Sequence, residues 1–208
     1  MQDLDRALAD LVTIRAQLAR QTTFRGFGAA ALAITACLAF ATSLAQSAWP
    51  NQLAAEPAVY FGVWIATAVV AATLIGVEAL RRAHRLHAGL ADAMVAQAIE
   101  GFLPAGGTGV CLGLVLAGCA PDQLWMLPGL WQILVGLGLF ASVRILPQGA
   151  VLGAVWYLMA GFAVLVMTST THSLSPWSMG IPFAIGQGIL AWVMYRHGSG
   201  QGGHDGDL

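Results

Sequence analysis

Apolar residues gather into six long runs, at about 27–44, 59–80, 102–118, 124–144, 150–168 and 177–195, separated by short polar breaks. A helix of roughly 17–25 apolar residues, rising about 1.5 Å per residue, matches the roughly 30 Å hydrocarbon core of a bilayer. The runs therefore predict an all-α, polytopic membrane protein with six transmembrane helices in three hairpins. The fourth run, from Leu124 to Arg144, is uncharged until its last residue. It carries Gln132 near its middle and Pro128 one turn earlier.

Outside the runs the rhythm changes. In 1–25, Leu4, Leu8, Leu11, Val12 and Leu18 recur at helical spacing while Asp3, Asp5, Arg6, Asp10, Arg15 and Gln17 take other faces. That predicts a cytoplasmic amphipathic helix lying on the membrane. Ser43 and Ala45 would suit a signal-peptide cleavage site, but the long, acidic leader and the long apolar run favour an uncleaved anchor. After the second run the helix is expected to continue through His84, Leu86, His87, Leu90 and Met94 as an amphipathic elbow. The Gly-rich tail, 197–208, is expected to be disordered.

Composition removes the soluble alternatives. The chain is 58% hydrophobic and 9% charged, against roughly 25% charged in soluble domains. It has too few polar residues to cover a water-exposed surface, so function belongs in the bundle or at its rims. No nucleic-acid surface is implied by a net charge of −1.

Charge also supplies a direction. The nine basic residues are all Arg: Arg6, Arg15, Arg20 and Arg25 precede the first run, Arg81, Arg82 and Arg85 follow the second, Arg144 follows the fourth and Arg196 the sixth. With six spans they all fall on one side. The positive-inside rule makes that side cytoplasmic, with both termini there and the chain in the cell (inner) membrane. Trp49, Trp125 and Trp177 fall at the opposite edge, where interfacial anchors belong.

An internal regularity sharpens the search for a site. The second, fourth and sixth runs each open near a proline, Pro57, Pro121 or Pro176, and close on Arg. Gln132 and Gln187 each lie eleven residues after the opening proline, about three turns, which predicts that both amides sit at one depth near the midplane. A triplicated helical hairpin follows as a hypothesis. Pro128 and Pro182 would free the carbonyls of Leu124 and Ser178. Both lie about two turns above the glutamines, so counting along each helix predicts that the amides do not capture them.

Small residues mark helix contacts: Gly109, Gly113 and Ala117 in the third run, Gly149 and Gly153 in the fifth, Gly180, Ala184 and Gly188 in the sixth. Such GxxxG-type faces let backbones approach, within one subunit or in a homo-oligomer.

The candidate ligand or pathway residues are Gln132, Gln187, Glu78 and Glu100. For the glutamines the plainer role is interhelical glue; for the acids, near the cytoplasmic ends, it is a solvated salt-bridged rim. Arg81, Arg82, His84, Arg85 and His87 are candidates for anionic lipid headgroups. His84 and His87 lack the further ligands that zinc needs, so no metal is expected, nor any other cofactor. Cys37, Cys111 and Cys119 lack metal or redox spacing and read as small hydrophobes.

HExxH, GxSxG and P-loop motifs are missing from the sequence, as is lysine, so no catalysis is expected. His172 with Ser173 and Ser175 is the one nucleophile and base grouping, and it lacks a carboxylate in its loop. Two functions fit: a non-catalytic sensor, regulatory or assembly module that meets a partner at its cytoplasmic face, or a small channel or transporter for a solute or ion through a Gln-lined midplane site. The lack of charge inside the spans favours the first.

Overall fold

The computed structural model describes residues 28–48, 56–86, 91–143, 146–147 and 149–199, with the backbone alone for 82–86, 91–99 and 198–199. The expected helix at 1–25, residues 87–90 of the expected elbow and the tail beyond 199 lie outside the described residues. Six α-helices account for most of what is described: α1 Ala29–Ser47, α2 Pro57–Leu86, α3 Ala91–Cys119, α4 Leu127–Ala141, α5 Ala150–Thr168 and α6 Pro176–Ser199. A 3-10 turn, Pro121–Met126, leads into α4. Each of the six corresponds to a stretch long and apolar enough to cross a membrane. The chain is accordingly an all-α, multi-pass membrane protein.

Local chemistry sets the helix ends. Pro176 opens α6 behind Ser175, whose Oγ accepts the Trp177 N–H at 3.3 Å, an N-cap. His172 closes α5 in a left-handed conformation, φ 49°, with its N–H on Thr168 O at 2.8 Å. That is a helix stop usually given to glycine.

The fourth run departs from the expected single helix over 124–144. Its first residues form the 3-10 turn, and Leu124 O accepts the Leu127 N–H. Pro128 therefore stands in the first turn of α4, where its missing N–H costs nothing, and frees no carbonyl. Pro182 lies inside α6 and does free one; Pro104 lies inside α3, which begins well before its apolar run.

Each helix packs on its sequence neighbours and α1 packs on α6, so the contacts close a ring, with α4 also reaching α6 across it. The pairs α1–α6 and α4–α5 are the most extensive. Neighbours run antiparallel, giving the bundle two poles. At the proline pole, Ala39, Tyr60, Phe61, Trp64, Leu127 and Met179 form one core; towards the arginine pole, Leu32, Ala79, Leu146, Ala150, Tyr157, Leu190 and Ala191 form another. Phe183 packs against both. Only 17% of the α2 span and 6% of the α3 span is buried, against 33–39% in the others, so this hairpin is the flank least covered by the rest of the described chain.

Glycine sets the closest approaches. A Cβ on Gly161 would stand 2.7 Å from Gly129 O, and one on Gly129 would stand 2.8 Å from Gly161 O. There α4 and α5 touch backbone to backbone. The GxxxG faces expected to suit a homo-oligomer are largely used inside the chain: Gly109 and Gly113 receive the Trp131 ring, Gly149 and Gly153 receive Val193 and Leu190, and Gly180 receives Ser43. Gly188 alone of these meets nothing within 4 Å.

Candidate functional site

Gln132 is fully buried, and its amide nitrogen donates to Ser178 O at 2.7 Å. Pro182, four residues on, cannot supply the N–H that would normally hold this carbonyl. The amide of α4 thus fills the gap that proline leaves in α6. The expectation that the amides do not capture freed carbonyls is overturned, because the capture runs between helices and not along one.

The same bond removes the matched pair. Ser178 lies nine residues before Gln187 on α6, roughly 13 Å of helix. Gln132 sits level with Ser178, so the two glutamines occupy different heights and do not form one midplane site. Gln187 instead lies beside the Tyr157 hydroxyl of α5, whose ring is seated on Gly186.

Around Gln132 a polar cluster joins four helices at the proline pole. Tyr60 of α2 donates its hydroxyl to Ser175 O at 2.9 Å, with Ser178 Oγ 3.4 Å away. Gln46 of α1 donates to Tyr60 O at 3.2 Å, and Ser43 Oγ lies 3.2 Å from Pro176 O. Elsewhere Trp131 of α4 donates to Gly109 O of α3 at 3.0 Å, and Trp156 of α5 to Pro182 O of α6 at 2.9 Å. In each of these bonds an N–H or O–H side chain reaches a main-chain carbonyl of another segment. In lipid, where helices gain no hydrophobic drive to associate, such bonds and close packing hold a bundle together. Among the described residues, Gln132 Oε1, Gln46 Oε1, Gln187 Oε1, Tyr157 Oη and Trp64 Nε1 remain buried without a hydrogen-bond partner.

The other candidates stand apart from this cluster. Glu78 lies against the start of α1, its Oε1 2.9 Å from where a Gly28 Cβ would be. A carboxylate there complements the helix dipole and the uncapped Gly28. Glu100 and Arg81 are exposed; the side chains of Arg82, His84, Arg85 and His87 lie outside the described residues. Cys37, Cys111 and Cys119 are free thiols on exposed surfaces, not packed inside. His172 stacks on Trp125, ring centroids 4.6 Å apart and planes 17° from parallel, while Ser173 bonds Thr171 and Ser175 caps α6. Each of the three side chains of this grouping thus has a contact of its own outside the grouping.

Tyr60, Trp131 and Trp156 escaped sequence reading as polar contributors, because an aromatic in an apolar run gives no sign that its N–H or O–H will be used. No protein-family model, no curated protein and no solved structure matches the chain.

Proposed function

We propose that the chain is a non-catalytic sensor, regulatory or assembly module of the cell (inner) membrane, with both termini and the arginine pole cytoplasmic. The bond from Gln132 to Ser178 O carries this reading: the most deeply placed amide is committed to holding α4 on α6. A bundle stitched in this way is a platform, and the arginine-rich N-terminal segment and elbow supply the charged face on which a cytoplasmic partner would dock. The test is co-purification with and without residues 1–20. Loss of the partner on truncation, with the bundle still folded, is the expected result; a partner retained in full contradicts docking through this segment.

The unpartnered oxygens of Gln132 and Gln187 favour a second reading, a conduit for a small polar solute. Liposome flux separates the two. The module reading expects no uptake above that of empty vesicles. Uptake abolished by Gln132→Leu with Gln187→Leu, in protein that remains folded, would establish the conduit.

A further inference from the structure

The outward face of α6 ends in a paired aromatic and cation. The Arg196 guanidinium lies 4.5 Å above the centroid of the Trp192 ring. Both side chains are exposed, Trp192 at 50%. Stacking engages the flat face of a guanidinium and leaves its N–H edge free, the edge that matches phosphate in bidentate geometry. The carboxylates of Glu78 and Glu100 lie on other helices, and His197 turns its Nδ1 to Val193 O at 2.9 Å.

Below the pair the same face is apolar and notched. Ile181, Ile185 and Trp192 recur at helical spacing and all are exposed. Gly188, one turn before Trp192, has nothing within 4 Å of where a Cβ would stand. An exposed apolar stripe with open space at Gly188 between Ile185 and Trp192, headed by a guanidinium, has the order of parts of a phospholipid: acyl chain, interfacial glycerol, phosphate.

We propose that Arg196 and Trp192 form a binding site for the phosphate of an anionic phospholipid, with the exposed stripe of Ile181, Ile185 and Gly188 below them lying along one of its acyl chains. This rests on the membrane reading and adds a site on α6 to the arginines of the second loop. The cation and the ring act together: the ring fixes the guanidinium at headgroup depth, and the guanidinium takes the phosphate.

Native mass spectrometry of the full-length protein, titrated with phosphatidylglycerol or phosphatidylcholine, tests it. The wild type is expected to retain phosphatidylglycerol preferentially. Arg196→Gln is expected to weaken that retention about five-fold, the usual worth of one basic residue at an anionic surface. Arg196→Lys, which keeps the charge and loses the planar fork, and Trp192→Leu, which removes the ring, are each expected to fall between. Unchanged retention by Arg196→Gln overturns the site. Equal displacement by soluble glycerol phosphate overturns the lipid as its source. Alkaline carbonate extraction of the reconstituted wild type separates this from the premise: protein washed from the vesicles overturns the membrane reading as well, whereas protein that stays and ignores Arg196→Gln overturns the site alone.

Discussion

Gln132 explains why a polar side chain persists in an apolar bundle and what its loss should do. Replacing it with Leu removes a buried interhelical bond and leaves Ser178 O without a donor. An intramembrane hydrogen bond contributes about 0.6–1.7 kcal/mol, and an orphaned buried acceptor adds to the loss, so Gln132→Leu is expected to destabilise by about 1–2 kcal/mol. Pro182→Ala should change that figure, because alanine at this position would supply the missing N–H to Ser178 O. In that background Gln132→Leu is expected to cost about 1 kcal/mol less, read as the coupling in a double-mutant cycle of unfolding in detergent. Additive effects would mean that the proline and the amide are unrelated. Both partners were visible in the sequence: the proline marked the carbonyl and the apolar surroundings marked the amide. Their meeting was not, because it depends on how far α4 is shifted along α6, which packing decides.

Among the helices, glycines separate tight interfaces from open faces. Gly161→Ala would place a methyl 2.7 Å from the Gly129 carbonyl, and backbone cannot swing aside as a side chain can. Overpacking of this kind costs about 1–3 kcal/mol, so a clear loss of thermal stability in detergent is expected. Gly107→Ala meets nothing within 4 Å. It is expected to be neutral or to stabilise by up to about 1 kcal/mol, since alanine holds a helix better than glycine. Equal effects at the two positions would contradict the α4–α5 contact. The spacing of Gly109 and Gly113 pointed correctly to a helix contact, though it could not say that Trp131 fills it. Gly129 and Gly161 lie on different helices and show no GxxxG spacing with each other. The fourth run misled as a single helix because apolarity does not distinguish a 3-10 turn from an α-helix, and the first residues of that run adopt the tighter form.

For the whole molecule, six runs became six helices, because in lipid a backbone must satisfy its own hydrogen bonds and a long apolar segment has little choice but to be helical. The closed ring and its two poles required contacts that no run length encodes. Orientation remains the proposal on which the cytoplasmic docking face depends, and cysteine labelling measures it. With Cys37, Cys111 and Cys119 replaced by Ala, single cysteines are introduced as Gln2→Cys, Asp122→Cys, His172→Cys or Gly202→Cys and exposed to a membrane-impermeant maleimide on intact cells. Asp122→Cys and His172→Cys are expected to label from outside, and Gln2→Cys and Gly202→Cys only after permeabilisation. Labelling of either terminal cysteine on the same side as Asp122→Cys and His172→Cys would contradict it.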